Sequence, residues 1–414
     1  MSLKERINAA NEEALRRIVA ADPVLVDVAP AGDVIPGLED RMILHSGPPV
    51  TWERMCGAQR GAVIGMCLFE GWAQDPAAAA RMLAAGEIAL EPNHHHGTVG
   101  PMAGTITRNM WVWVVENRAF GNRAFCRQVE SFQQFGDHSP DALAGLEKWR
   151  DTWGPALGTA VRKMGGVPLK QLVARALLMG DEMHNRVVAS SSLFANAVAP
   201  HLVVCGLPTE QVVSTLFYAG NHPFLFLGLS MAAAKASMDP VRGVEASTVV
   251  TAMARNGTEF GIQVSGLEGE WFTAPAPRVQ GLLLPGWKEE DAGLDMGDSA
   301  ITETVGWGGA ALGGAPGILS FTGGTAEQAL AFSRDMRGIS TGLSPDYLMP
   351  ALNFEGTAVG IDIRKVVHAN LVPVIDTAIA HREPGHGIIG GGIVRPPMEC
   401  FTKALARFAE KYQG

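Results

Sequence analysis

The feature that most constrains this chain is a change of pattern near residue 240. Between residues 140 and 238 apolar side chains recur every three or four positions; beyond 240 short runs of β-type composition alternate with glycine-rich turns. The clearest helical face follows Gly165-Gly166, has Pro168 in its first turn, and carries Leu172, Ala176, Met179, Met183, Val187, Ser190 and Phe194. That spacing predicts one helix over 168–198, beside others over 140–163, 208–219 and 223–237. β-type runs are expected at 248–250, 259–264, 300–305 and 372–380, with an amphipathic helix over 398–412. The first part of the chain predicts helices over 2–21, 52–72 and 76–85, and strands at 24–28 and 110–115. Neither amphipathic helices nor short strands bury their apolar sides alone. The expected fold is therefore α+β, a helix-rich N-terminal and central part packed against a Gly-rich mixed α/β C-terminal part, divided as 1–139, 140–238 and 239–414.

Composition removes several classes of function. With 42 acidic against 33 basic residues and no Lys/Arg-rich run, nucleic acid lacks its electrostatic partner. The longest apolar runs, such as 223–234, fall short of the roughly 18 residues of a membrane span. Five scattered cysteines, Cys56, Cys67, Cys126, Cys205 and Cys400, form no CxxC pair and suit a reducing cytoplasm, where they should be free. The N-terminal segment is charged and helical in pattern, unlike a signal peptide. Charged residues make up only 18%, below the roughly 25% of an average soluble protein, so surface buried in a homo-oligomer or a complex is expected.

Three constellations could carry chemistry. In NHHHGTVGPMAG (93–104), His94, His95 and His96 run into a glycine-punctuated turn. Two readings are open: alternate histidines on one strand face binding a metal, or hydrogen-bonded loop histidines that position or protonate a ligand. In MGDEMHNR (179–186), helical geometry would bring Asp181, His184 and Asn185 onto one arc, with Asp181 orienting His184 as a general acid or base; the plainer reading is a solvated face with Glu182 and Arg186 paired. The third is spread through the glycine-rich half, in Asn221-His222, RNGTEFGI (255–262) and DMGDSAITETVG (295–306). There Arg255 offers a planar fork for an anion and Asn256 amide pairing, with Glu259, Asp295, Asp298 and Glu303 as acceptors for substrate N–H groups. Asn109 and Arg395 complete the set of candidate ligand contacts. Gly385, Gly387 and Gly390 satisfy GxGxxG, but no helix follows them, and Gly390-Gly391-Gly392 with Pro396-Pro397 predicts a loop rather than a dinucleotide site. No GxxxxGK[ST], GxSxG or HExxH motif occurs, and no cofactor is called for.

The strings LHSGPPVTWERM (44–55), GTVGPMAGTIT (97–107), MGDEMHNR, RNGTEFGI, WFTAPAP (271–277), DMGDSAITE and PGHGIIGGGIVRPPMECF (384–401) resemble the AllG (YlbE-like) subunit family of oxamate carbamoyltransferase. The resemblance spans residues 24–401. It implies a subunit of a carbamoyltransferase in allantoin catabolism that works with FdrA-type (AllF) and AllH subunits on a small ureido or amide acid, with phosphate or carbamoyl phosphate. It supplies no map of catalytic residues, and the STRT and HPxQ motifs of aspartate and ornithine carbamoyltransferases are absent, His222-Pro223 being followed by Phe224-Leu225. Such a transfer needs N–H donors at the oxyanion, positive charge near phosphate or carboxylate, and proton traffic at the amide nitrogen. A metal-dependent amidohydrolase using the histidine cluster, and a non-catalytic binding subunit, are the competing expectations. A further expectation is that the histidine loop and the 179–186, 255–262 and 295–303 segments meet in one cleft.

Overall fold

The apolar run near residue 230 forms the helix Leu227–Met238, every residue of which is buried. A helix apolar on all sides belongs inside a protein, and its Gly, Ser and Ala residues let neighbours approach closely. A Cβ on Gly228 would lie 2.9 Å from the Trp113 ring. The helix packs on Trp111–Asn117 and Arg123–Arg127. These strands belong to a five-stranded sheet in the order Thr98–Val99, Arg123–Arg127, Trp111–Asn117, Pro23–Pro30, Val167–Pro168. Within it Pro23 lies opposite Asn117 and Pro30 opposite Trp111, antiparallel. Residues 2–129 and 132–413 are described by this computed structural model.

Two larger sheets and a two-stranded one, Ser340–Met349 with Glu355–Ile361, lie in the C-terminal half. Val250–Asn256 is flanked by Glu259–Val264 and Met296–Gly297, with Phe272–Pro275 at the edge. Ile388–Val394 lies between Gln280–Leu283 and Ile375–Ala380. The architecture is α+β. The opening helix Leu3–Ala20, capped by Ser2 and Glu5, buries Ile7 and Ala10 in the core that holds Val250, Phe260 and Phe401. Its Asn11 donates to Thr248 and Asp362, so the first helix of the chain is bound to the last third.

Four local expectations need correction. The helix over 168–198 is two, Leu169–Leu178 and Val188–Val203, separated by a loop. The 300–305 run is not a strand but a short helical turn, Ile301–Thr304. The helix over 140–163 is interrupted by a π-type turn at Trp149–Trp153, where a buried Trp149 donates to the Trp111 carbonyl. Gly390-Gly391-Gly392 lies in a strand, not a loop. The neighbouring backbone comes so close there that a Cβ on Gly281 would meet the Gly391 carbonyl at 2.1 Å, so only glycine fits. None of the five cysteines is joined to another by a disulfide. Among the described residues no helix is long and apolar enough to cross a membrane.

Candidate functional site: a buried histidine among carboxylates

The break in the 168–198 helix builds the site. After Leu178 the amides of Gly180 and Asp181 turn back to the carbonyls of Leu177 and Ala176, with Gly180 at φ 92°. Glu182 then folds its carboxylate onto the chain ahead of it, accepting from the amides of His184 at 2.8 Å and Asn185 at 2.6 Å, and from that of Arg186. Asp181 caps the following helix through Ser190 N at 2.8 Å, Ser190 Oγ at 2.9 Å and Ala189 N at 3.2 Å. Two consecutive acids thus convert the expected helix into a loop stapled at both ends. Met183, at φ 75°, marks the strained point.

The loop turns His184 and Asn185 inward. His184 is 2% exposed, and its Nδ1 lies 2.8 Å from Glu303 Oε1. Glu303 is held in turn by Gly309 N and Thr302 Oγ1, each at 3.1 Å. Asn185 Nδ2 donates to Asp376 Oδ2 at 3.0 Å, while the buried Asp376 Oδ1 has no hydrogen-bond partner. Burial disfavours a charged His184, but the charge and hydrogen bond of Glu303, with Asp376 behind it, outweigh this and raise the imidazole above its ordinary value. Asp376 is pushed up to about 6 by burial, with Glu303 adding to the rise and His184 opposing it. Burial, reinforced by the charges of Asp376 and Glu303, also holds Glu182 well above the usual carboxylate range.

His184 and Asn185 line a narrow cavity with Met102, Phe135, Ser299 and Thr377, so stretches far apart in sequence wall it. Its volume is about 30 Å³, room for about one water. Arg255 lies behind Thr377. Its Nε and Nη2 grip Asp295 at 2.7 and 3.0 Å, Nη1 donates to the Gly297 carbonyl and Ser299 Oγ, and Nη2 reaches Thr377 Oγ1. All five guanidinium donors are used inside the protein. Asp298 ties the histidine loop to this network, accepting from Asn93 Nδ2 at 2.9 Å, Gly100 N at 2.9 Å and Gly47 N at 2.8 Å. Hydrogen bonds therefore join the four segments expected to converge, but their roles divide.

Several candidates lie elsewhere. Asp181 does not orient His184; Glu303 does, because Asp181 is spent on a helix cap. His94 is buried, 3.7 Å from Asp298 Oδ1 and edge-on to Trp271, with neither ring nitrogen hydrogen-bonded. Burial holds it well below its ordinary value. His95 is exposed between Glu91 and Trp271, and His96 reaches the Pro36 carbonyl. The histidine run forms a short 3₁₀ turn, Asn93–His96, so the alternation of a strand does not apply. Asn109 bonds Glu70 at the surface. Asn221 and His222 border an outer groove with Trp153 and Phe217. Asn256 forms a turn by accepting from the amides of Thr258 and Glu259, while the Glu259 carboxylate pairs with Arg54. Arg395 pairs with Asp335 over the Phe332 ring.

Sequence reasoning missed Asp376, and it gave Glu182 a place only in the plainer of its two readings, on a solvated face. Asp376 had a signal: it is a carboxylate inside the apolar run IDTAIA, whose strand is buried throughout. A buried acid in such a strand calls for a partner.

The fold and the site define an α+β protein with a buried, acid-rich imidazole centre fed by segments far apart in sequence. The model of the family described as "Oxamate carbamoyltransferase subunit AllG" matches residues 88–299. The chain is 42% identical over 407 residues to the oxamate carbamoyltransferase subunit AllG of Escherichia coli K12, covering 97% of each. It is 45% identical to the uncharacterized protein YahG of the same organism, over 99% of this chain and 88% of that one. A crystal structure of a conserved protein of unknown function from Enterococcus faecalis V583 superimposes with a TM-score of 0.97 at 44% identity, covering 99% of both chains. The chain belongs to the AllG family.

Proposed function

We propose that this chain is a subunit of a carbamoyltransferase-type enzyme and that a small ureido or amide acid of the oxamate or oxalurate kind reacts beside His184. One observation carries this reading: the His184–Glu303 pair lies beside the Asn185–Asp376 pair, and His184 and Asn185 line a narrow cavity. An amide needs an acceptor for its N–H and positive charge close to its carbonyl oxygen. Asp376 Oδ1 supplies the acceptor, and the raised His184, turned by Glu303, supplies positive charge to the reacting amide. Arg255 acts as a positioning residue, holding Thr377 and the loop 295–299 in place. A cavity with room for one water must widen to admit such a substrate, and the seam between the 179–187 loop and the 375–380 strand is where it would open.

Partner subunits of the FdrA (AllF) and AllH types would supply the phosphate-binding remainder, since Arg255, behind the cavity, has all its donors consumed internally. The test is reconstitution of the purified chain with these subunits, assayed for carbamoyl transfer between oxamate and phosphate. Turnover that needs this chain and falls about 10²-fold or more in His184→Ala supports the reading. Full turnover in that variant would reduce the chain to a structural subunit.

A further inference from the structure

The charges of the centre do not balance. Glu182, Glu303 and Asp376 are each fully buried, and the basic side chain hydrogen-bonded to this group is His184. Arg255 is neutralised by its two bonds to Asp295. Buried carboxylates in such a group need protons or a cation.

The geometry favours a cation. One ligand atom each from His184, Glu303 and Asp376 lies within 4.8 Å of the others. Ligands at about 2.0–2.2 Å from a first-row divalent ion stand about 3–4 Å apart, so small side-chain rotations close the set. The 2.8 Å between His184 Nδ1 and Glu303 Oε1 is already near one edge of such a polyhedron. A second observation comes from Asp376, whose Oδ1 is buried without a partner while Asn185 fixes the opposite oxygen. Glu303 is held similarly from behind by Thr302 and Gly309. Outer partners of this kind orient metal ligands.

We propose that His184, Glu303 and Asp376 bind one divalent cation of the Zn²⁺ or Mn²⁺ class, an inference that rests on the reacting centre assigned above, with the cation in place of a protonated His184 as its positive charge and Asp376 Oδ1 as a metal ligand in place of the acceptor for the amide N–H. One imidazole nitrogen and two carboxylate oxygens suit these ions better than Mg²⁺ or Ca²⁺, which favour all-oxygen sets. Three protein ligands leave a coordination position for a carbonyl oxygen.

The test uses the full chain stripped of metal by chelation, then titrated with Zn²⁺ and separately with Mn²⁺ by calorimetry, with thermal melting in parallel. One equivalent per chain is expected, with a rise in Tm on loading. Asp376→Asn and Glu303→Gln should weaken the affinity about 10-fold or more. His386→Ala, which removes half of the ring pair it forms with His381, should leave it unchanged. Asp376→Asn removes a buried negative charge, so its metal-free Tm should match or exceed that of the wild type, separating lost binding from lost folding. Failure of the wild type to take up either ion, or equal affinity in Asp376→Asn, overturns the proposal. If no ion binds and His184→Ala still abolishes turnover in the reconstituted enzyme, the cation falls and the amide-site reading stands. If the ion binds and His184→Ala turns over normally, the cation is structural and the amide-site reading falls.

Discussion

Asp298 and Asp376 are both fully buried, and burial pushes both up to about 6. What separates them is their donors. Asp298 accepts from two backbone amides and one side-chain amide spread over Gly47, Asn93 and Gly100, so both its oxygens are occupied. Asp376 accepts from Asn185 on one oxygen and has nothing on the other. A saturated buried acid is a clamp, because its lone pairs are already spent on holding loops together. A half-satisfied one beside a cavity has capacity left for a ligand.

The contrast can be broken by experiment. The largest effect is expected from Arg255→Ala, which strands Asp295 as an unpaired buried charge and should cost about 3–5 kcal/mol of unfolding free energy in urea titrations. A variant of wild-type stability whose only defect is weak substrate binding would instead make Arg255 a substrate clamp. Next comes Asp298→Ala: three donors lose their acceptor, and about 3 kcal/mol should go. Asp376→Asn, by contrast, should stay within about 1 kcal/mol of the wild type while turnover in the reconstituted enzyme drops about 10²-fold. Should the two aspartates respond alike in stability, donor count does not distinguish clamp from ligand.

The effect that is smallest at any single step of the measurement is a pH slope. The Asp298 carboxyl is raised from 3.8 to about 6, chiefly by burial and against its three donors, so the folded chain holds that proton more tightly than the unfolded chain. The stabilisation this gives is complete below about pH 4 and is lost as pH rises through about 6, with a slope of at most about 1.4 kcal/mol per pH unit. Unfolding free energies between pH 4 and 7 should show this decline in the wild type and a flatter profile in Asp298→Asn. An unchanged slope would assign the titration to another group.

Local pattern in the sequence determined much of the fold. The opening helix, expected at 2–21, is Leu3–Ala20 and begins at a Ser2/Glu5 capping box; the strand expected at 259–264 is Glu259–Val264. Such elements rest on periodicity and on caps within a few residues of one another, which a single stretch of chain carries. The residues of MGDEMHNR were also visible as chemistry, but their geometry was not. Its apolar stripe continues through Met183 and Val187, so the pattern reads as helix, whereas the amides of 184–186 find the Glu182 carboxylate instead of helical carbonyls. Tertiary structure decided what that loop faces. Glu303 lies 119 positions from His184 and Asp376 lies 191 from Asn185, and no periodicity links residues at such separations. Packing brings them together because the 375–380 strand and the 301–304 turn are buried against the same loop. Among the described residues Asp376 Oδ1 is the buried carboxylate oxygen left without a hydrogen-bond partner, because the long-range packing that buries it brings a donor to its other oxygen alone.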